Sequence, residues 1–251
     1  ALFGQVCFEE GMTKNTYGTG CFMLMNTGNQ PKTNDHGLLA TVGWKIGSEI
    51  IYALEGSIFI AGAAIQWLRD ELSIVYDAPQ SEYYANMVED SGGVVVVPAF
   101  TGLGAPYWDM YARGGIFGLT RGSKREHLVR ATLESIAFQS RDILELMQED
   151  ANVKLHSLMV DGGASANNFL MQFQADILQT KIMRPGLLES TALGACFLAG
   201  LASGVWKTKE ELIRLKEEDR IFLPSKEQNW VDEKVHFWKK AVQRCLEWEE
   251  M

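Results

Sequence analysis

Residues 158–168, which read LMVDGGASANN, combine an apolar run with a glycine pair and two asparagines. The apolar run predicts a short buried strand, and the helical pattern over residues 166–179 predicts that the strand turns directly into a helix. Such a turn lies at the carboxyl end of its strand, where open α/β sheets bind nucleotides. The stretch therefore favours an α/β domain whose turn faces a ligand.

The turn at the end of this stretch has two interpretations. Gly162 and Gly163 let the backbone approach a ligand closely, and the N–H groups at the start of the next helix can hold an anion. Asn167 or Asn168 can read the amide or amine edge of a ligand, or can simply cap the helix. The stretch lacks the Lys-Ser/Thr ending of a P-loop. From these residues alone, the ligand site and the plain capped turn remain alternatives.

A second glycine-rich turn lies at residues 17–22, which read YGTGCF. The glycines on either side of Thr19 permit a tight turn with free backbone N–H groups, and such a turn can hold a phosphate together with the threonine hydroxyl. A hairpin turn without a ligand is the alternative interpretation.

A glycine inside a predicted helix is the third feature. Apolar residues predict a helix over residues 58–72, in which Gly62 and Gln66 lie one turn apart. Because glycine in a helix costs about 1 kcal/mol relative to alanine, Gly62 indicates that a ligand or a neighbouring helix comes very close. The spacing of the sequence shows no Ser/His/Asp or Cys/His arrangement for nucleophilic catalysis.

The rest of the chain completes a mixed pattern of strands and helices. Three short apolar runs between residues 13 and 56, separated by Gly and Asn, predict an antiparallel meander. A solid run of valines predicts a strand covered on both faces over residues 94–97. Further helices are predicted over residues 80–90, 124–149 (amphipathic) and 190–203 (buried, with Ser190 or Thr191 near its N-cap). This order predicts one α/β domain with a mixed sheet flanked by helices.

Both ends of the chain are unusual. Residues 1–8 are apolar on a helical repeat that Gly11 would end, and no capping residue precedes them, so we expect a chain cut from a longer protein. Residues 207–251 are densely charged with alternating sign and interspersed tryptophans. This pattern predicts a charged helical C-terminal extension that packs on the surface through its aromatic side chains.

Composition restricts the class of partner. The 251 residues carry a formal net charge of −9, which disfavours nucleic acid and anionic membranes because both attract basic surfaces. The uncharged stretch over residues 190–206 is shorter than the ~20 residues that cross a membrane. The cysteines and histidines are dispersed, so we expect neither a disulfide framework nor a metal site, and we place the protein in the reducing cytoplasm.

Several stretches, in the same order along the chain, resemble the FGGY family of carbohydrate kinases. Residues 14–24 resemble a phosphate-binding segment of the family, residues 97–108 its characteristic loop, residues 114–134 its C-terminal signature and residues 161–168 its adenosine segment. The resemblance covers essentially the whole chain. It implies a ribonuclease H-like domain of the actin/hexokinase/Hsp70 ATPase superfamily, in which residues 1–251 form the second, C-terminal kinase domain and the N-terminal domain is absent.

The resemblance also assigns roles to individual residues. It implies that five residues contact the nucleotide, with the first of them on a phosphate: Thr19, Gly62, Gln66, Gly163 and Asn167. It implies that Phe22 forms part of an apolar wall against the carbon face of the acceptor. The general base of the family is an Asp in a segment that would precede Ala1, so no catalytic residue and no metal ligand is expected within this chain.

The activity implied by the resemblance is transfer of the γ-phosphoryl group of ATP, with Mg²⁺, to glycerol, which gives sn-glycerol 3-phosphate. The amino-acid sequence of residues 16–24, which includes Phe22, favours glycerol as the acceptor. A ketopentose kinase of the same family and a non-catalytic nucleotide-binding or interaction module remain the alternatives. The resemblance further implies ADP as product, a homo-oligomer (dimer or tetramer) for the full-length protein, and an inactive chain when the N-terminal domain is absent.

Overall fold

Strands and helices alternate along most of the chain. The computed structural model describes residues 1–32, 36–186, 189–215 and 218–249. Its strands are β1 (Met12–Tyr17), β2 (Cys21–Gly28), β3 (Leu39–Ile46), β4 (Glu49–Ile58), β5 (Val95–Val97), β6 (Gly115–Phe117), β7 (Ser157–Asp161), β8 (Ile182–Pro185) and β9 (Glu218–Phe222). Its α-helices are α1 (Gly62–Asp70), α2 (Ala78–Ala85), α3 (Arg125–Ala151), α4 (Asn168–Leu178), α5 (Ser190–Ser203), α6 (Lys209–Leu215) and α7 (Gln228–Val242).

A seven-stranded sheet in the order β3-β4-β2-β1-β7-β8-β9 organises the described residues. Strand β7 pairs in parallel with both β1 and β8, whereas the other neighbouring strands are antiparallel. A separate two-stranded sheet is formed by β5 and β6. The prediction of an α/β domain with a mixed sheet flanked by helices is therefore confirmed.

The two faces of the large sheet carry different layers. Because side chains alternate along a strand, Tyr17 of β1 packs into the main core with Leu133 of α3 and Leu170 of α4. On the opposite face, Met159 of β7 belongs to a smaller core that includes Phe197 of α5. The sheet is thus covered by helices on both sides.

Helix α3 lies at the centre of the main core. Its residues 131–140 are buried on all sides, because the sheet, α2, α4 and α7 pack around it. The helix predicted over residues 124–149 is confirmed, but its middle is not amphipathic. The strand predicted over residues 94–97 is confirmed as β5, which packs against α3 with Val96 and Val97 buried.

The apolar N-terminus is not the predicted helix. Residues 2–6 form turns, and after one bond of helical spacing, from Gln5 N to Ala1 O (2.9 Å), Val6 adopts a φ of 50°. A β-branched residue rarely occupies this left-handed region, and it ends the helical geometry. The apolar run over residues 1–8 reflects burial of Leu2 and Phe3 against the sheet, not a helical period.

The predicted meander has the wrong strand order. Four strands, not three, occupy residues 12–58, and β4 lies between β2 and β3 because the β3–β4 hairpin folds back so that β4 pairs with β2. Strand β4 continues to Ile58, so α1 begins at Gly62 rather than at residue 58. The helix predicted over residues 80–90 is shifted to Ala78–Ala85.

Helix α5 has the predicted bounds but is not a buried core helix. Only its side with Gly194 and Phe197 is buried, and Ala192, Ala195 and Ala199 are exposed. Its N-cap is Glu189, which makes no capping bond through its side chain. The uniformly small and apolar sequence hides which side faces the sheet.

The charged C-terminal region is not helical throughout. Between α6 and α7 it contributes β9, which extends the large sheet by pairing antiparallel with β8. Trp238 of helix α7 is buried in the main core, so aromatic anchoring is confirmed for this residue. Phe237 and Trp248, expected to anchor as well, are exposed. No helix among the described residues is long and apolar enough to cross a membrane.

Candidate functional site

A cavity of about 400 Å³ opens where the turn after β1, the start of α1, helix α2 and the turn after β7 meet. The five residues to which a nucleotide contact was assigned from the sequence all line it: Thr19, Gly62, Gln66, Gly163 and Asn167. They come from three segments that are far apart in the chain. The cavity is therefore a product of the tertiary structure and the best candidate for the functional site.

The turn that carries Thr19 is held by its backbone. Gly18 N donates to Gly20 O at 2.8 Å, and the Thr19 carbonyl accepts from Ala61 N (2.8 Å) and Ala63 N (3.0 Å) at the start of α1. The Thr19 side chain is exposed, and its hydroxyl has no hydrogen bond to any described residue. The hydroxyl therefore does not cap the turn and is free to bind a ligand.

The turn explains why residue 62 is a glycine. A Cβ atom at residue 62 would lie 2.6 Å from the carbonyl oxygen of Gly18, which is closer than van der Waals contact permits. The close neighbour indicated by the sequence is thus the backbone of the turn, not another helix. Gln66, one helical turn further, is exposed on the same cavity.

The two residues after β7 are glycines for different structural reasons. Gly162 has a φ of 85°, and a Cβ there would lie 2.4 Å from Tyr17 O, so the fold requires glycine. Gly163 has no atom within 4 Å of its would-be Cβ and lines the cavity. Its missing side chain leaves open space, which is what close approach of a ligand to the backbone needs.

Asn167 makes the helix cap that was one of the two interpretations of its stretch. Its Oδ1 accepts from Leu170 N at 2.9 Å and caps α4, and its Nδ2 donates to Ser81 Oγ of α2 at 3.2 Å. The first N–H of α4, on Asn168, is taken by the carboxylate of Glu82. The expectation that the N–H groups of this helix start are free for an anion is therefore wrong for Asn168 and Leu170, whereas the second N–H of the Asn167 amide remains available.

The rest of the wall is apolar. Tyr17 is fully buried and donates its hydroxyl to Gln174 Oε1 at 2.8 Å, and burial raises the pKa of its phenol far above the usual value. Ile65, Leu133 and Ile136 complete this side. An apolar wall beside a free hydroxyl and an open glycine suits a flat ring that carries an anionic tail.

Sequence reasoning missed the contribution of α2 and α3. Pro79, Ser81 and Glu82 line the cavity from α2, and Leu133 does so from α3. In the sequence, Pro79 signals only a helix start, and Leu133 matches any core leucine. Residues that act by lining a cavity carry no local motif.

Phe22 lies outside this cavity. It stands opposite Thr16 in the β1–β2 pair, on the face of the sheet away from Tyr17, because successive side chains of a strand alternate. Its side chain is 52% exposed. The structure therefore places the predicted acceptor contact and the five cavity residues on opposite sides of the β1–β2 hairpin.

The residues around the cavity do not suit a divalent cation. Within the described ranges, no group of three His, Cys, Asp or Glu side chains is placed to hold a metal. Glu82 is the carboxylate among the described residues that line the cavity, and both of its oxygens accept hydrogen bonds from the backbone and side-chain amides of Asn168. The Mg²⁺ implied by the resemblance does not fit a site made of these residues.

Comparison with known families assigns this mixed-sheet domain to the class of carbohydrate kinases. Residues 13–203 match the model for the C-terminal domain of the FGGY family of carbohydrate kinases, and the chain belongs to this family. The resemblance inferred from the motifs is thereby confirmed.

Individual relatives show which kinases of this family the chain is similar to. The chain is 64% identical over 250 residues to the glycerol kinase of Caldanaerobacter subterraneus subsp. tengcongensis and 61% identical over 250 residues to that of Klebsiella pneumoniae subsp. pneumoniae. Each alignment covers 100% of this chain and 50% of the relative. The chain thus spans about half the length of the curated relatives it matches.

Solved structures give the same fold. The crystal structure of Plasmodium falciparum glycerol kinase with ADP superposes with a TM-score of 0.94 at 38% identity, covering 100% of this chain and 50% of that one. A ligand-bound xylulose kinase from Lactobacillus acidophilus superposes with a TM-score of 0.81 at 22% identity, covering 97% of this chain and 48% of that one. The second similarity shows the fold alone, and both confirm the actin/hexokinase-like architecture.

Proposed function

We propose that this chain is the nucleotide-binding half of an ATP-dependent kinase that phosphorylates glycerol to sn-glycerol 3-phosphate. The observation that carries the proposal is the convergence of Thr19, Gly62, Gln66, Gly163 and Asn167 on one cavity with an apolar wall. The similarity to glycerol kinases over the whole chain supports the choice of reaction.

In this proposal each cavity residue has a physical task. The apolar wall that Ile65 and Leu133 contribute packs on the nucleobase, and the open space at Gly163 lets the nucleotide approach the backbone. The Thr19 hydroxyl donates a hydrogen bond to a phosphate oxygen. Catalysis of phosphoryl transfer depends mostly on such positioning and electrostatic stabilisation.

The acceptor is proposed to be glycerol rather than a ketopentose. The two relatives named above, at 64% and 61% identity, are glycerol kinases, whereas the xylulose kinase is 22% identical. Phe22 is exposed beside the turn that carries Thr19. Its ring supplies an apolar surface against which the carbon atoms of a small polyol can pack.

The proposal includes an N-terminal kinase domain as partner. We assign this contact to the exposed side of helix α5, where the small side chains of Ala192, Ala195 and Ala199 would let a neighbouring element approach closely. Phe22 is exposed as well. Residues 1–251 would then be the second domain of the kinase, with the acceptor held between the two domains, and we extend the proposal to a homo-oligomer of the full-length protein.

Two further elements belong to the proposal. We propose that Mg²⁺ accompanies ATP and is held by the nucleotide phosphates and by carboxylates outside this cavity, since the described cavity residues offer it no site. We also propose a cytoplasmic location, which fits the four free cysteines Cys7, Cys21, Cys196 and Cys245 because reducing compartments keep thiols unpaired.

The decisive experiment uses the full-length kinase. Its rate of ADP formation is measured with ATP and either glycerol or xylulose, and the product is identified by mass spectrometry. Glycerol-dependent turnover that exceeds the xylulose rate at least a hundredfold supports the proposal. A preference for xylulose would establish the ketopentose kinase instead, and nucleotide binding without any transfer would establish a non-catalytic module.

A further inference from the structure

A lysine is buried in the sheet next to the phosphate turn. Lys14 of β1 is 4% exposed, and lysine is almost never buried to this extent unless it is paired. Its ammonium group donates to Thr16 Oγ1 at 3.0 Å and to the Phe22 carbonyl oxygen at 2.9 Å. The lysine therefore holds two residues that flank the hairpin turn.

Two carboxylates balance this charge. Burial lowers the pKa of Lys14, and the negative charges of Asp161 and Glu55 oppose that effect, Asp161 more strongly. The Oδ2 atom of Asp161 accepts from Gln5 Nε2 at 2.7 Å and from Ser190 Oγ, while its Oδ1 is buried without a hydrogen bond. The charged ammonium is thus built into a polar cluster inside the protein.

Strand pairing places this cluster on the face of the sheet that carries Phe22. Thr16 stands opposite Phe22 of β2 and Asp161 of β7, and Lys14 lies two residues away on the same face because the side chains alternate. The turn with Thr19 begins two residues after Thr16. The cluster consequently lies beside the proposed acceptor contact, Phe22, and just below the turn that carries the proposed phosphate contact, Thr19.

The bond from Lys14 fixes the direction of the Thr16 hydroxyl. An ammonium has only donors, so the Thr16 oxygen must accept from Lys14, and its hydrogen must point elsewhere. No described residue accepts that hydrogen. Thr16 is half-buried, and its hydroxyl is left as an oriented donor with an unused hydrogen.

We propose that Thr16 donates this hydrogen bond to an oxygen of the phosphoryl group in transit, and that Lys14 is the positioning residue that aims it. An anion is favoured over the neutral polyol as the recipient, because a buried positive charge beside the donor stabilises developing negative charge. The inference rests on the proposed kinase function.

The test uses the full-length kinase with the variants T16V, T16S, K14M and K14R. Removal of the hydroxyl in T16V is expected to lower kcat by about tenfold to a hundredfold, with KM for glycerol and for ATP within threefold of wild type. T16S retains the hydroxyl and is expected to recover most of kcat. K14M is expected to lower kcat similarly, with partial recovery in K14R.

Coupling between the two residues separates positioning from plain structural support. If Lys14 acts through Thr16, the double variant K14M/T16V loses no more than about threefold in kcat beyond K14M alone. T13V is the matched control, since Thr13 lies on the same strand and is buried on the opposite face, and its hydroxyl bonds, within the described part of the chain, to Gly11 O alone. Its kcat is expected to stay within twofold of wild type.

Three outcomes would overturn the inference. They are a T16V enzyme with unchanged kcat, a T16V effect that appears only in KM for glycerol, or multiplicative losses in the double variant. A wild-type enzyme without glycerol-dependent turnover would instead refute the proposed function itself. If K14M fails to fold, the isosteric T16V variant and the hydroxyl-retaining T16S variant still decide the role of the hydroxyl.

Discussion

The first residue of α1, Gly62, touches the carbonyl of Gly18 so closely that no side chain fits between them. The Gly62 N–H donates to Gly18 O at 3.0 Å, and a Cβ at residue 62 would lie 2.6 Å from the same oxygen. Two segments separated by a whole hairpin are thereby fixed to each other. The position of the turn that carries Thr19 depends on the absence of one carbon atom.

Replacement of Gly62 by alanine is expected to displace this turn. Because the opposing atom is backbone, it cannot move aside cheaply, so we expect KM for ATP to rise about tenfold or more and the melting temperature to fall by several degrees. The adjacent variant A63G is the control, with a helix-propensity cost of about 1 kcal/mol and no steric effect. Equal KM values for G62A and A63G would contradict the steric explanation.

Loss of the Thr19 hydroxyl is expected to affect catalysis and not stability. The hydroxyl makes no bond to the described protein, so T19A should melt within about 1 °C of wild type. One lost hydrogen bond to a charged group corresponds to about 1.5–3 kcal/mol, or about tenfold to a hundredfold in kcat. T19S should behave as wild type. A lower melting temperature with normal kcat would show that the hydroxyl only supports the turn.

The neighbouring glycines Gly162 and Gly163 form a matched pair. G163A is expected to fold normally, because nothing lies within 4 Å of the new Cβ, and to weaken ADP binding because the methyl group enters the cavity. G162A is expected to destabilise the protein, because a Cβ would lie 2.4 Å from Tyr17 O at a φ of 85°. Calorimetric ADP titration and thermal unfolding of both variants check the pair. Normal ADP affinity in G163A would remove Gly163 from the binding site.

A buried carboxyl makes stability depend on pH. Asp142 of α3 accepts from Tyr107 OH and Trp238 Nε1, both at 2.7 Å, and burial raises its pKa to about 6. The folded-state pKa thus lies above the unfolded value of 3.8, so the native state binds more protons between about pH 4 and 6. This carboxyl therefore becomes increasingly unfavourable to folding as the pH rises through that window.

The variant D142N removes this charge and keeps an oxygen that can accept both hydrogen bonds. Relative to wild type, D142N is expected to gain about 1–3 kcal/mol in the free energy of unfolding between pH 4.5 and pH 8. Urea unfolding of both proteins at the two pH values measures the difference. The variant Y107F removes one bond that favours the carboxylate and should move the window to higher pH. Parallel pH profiles of wild type and D142N would contradict the prediction.

The 251-residue chain by itself is expected to fold, to bind nucleotide weakly and to phosphorylate no glycerol. Half of a cleft supplies only part of the contacts, while the cost of association, several kcal/mol, is undiminished. We expect a Kd for ADP on the order of millimolar. Titration calorimetry that gives low-micromolar affinity would show that this domain holds the nucleotide alone, and turnover near that of the full-length enzyme would contradict the assignment to half of a kinase.

Local sequence predicted those features whose cause is local. The strand that ends at Asp161 and the cap at Asn167 follow from an apolar run, a glycine pair and an asparagine, and the valines at residues 94–97 predicted β5. The glycine pattern around Thr19 predicted a turn, and the similarity of several such segments to one family predicted which residues would meet.

Only the tertiary structure decided the features that depend on distant partners. The N-terminal run has a helical period but buries Leu2 and Phe3 without forming a helix, because Val6 leaves the helical region. Helix α5 has no polar stripe, so nothing in its sequence showed that one side would be left exposed.

The sequence by itself determined the α/β class and the glycine-rich turns, because each rests on backbone freedom or on residues adjacent in the chain, whereas the five candidate nucleotide residues came from the resemblance of these segments to one family. The tertiary structure decided that Gly62 is required by the Gly18 carbonyl, that Ser81 of α2 lines the cavity, and that Lys14 donates a hydrogen bond to the hydroxyl of Thr16. These last three are distances between atoms, and such distances are set by how strands pair and helices pack rather than by any single segment.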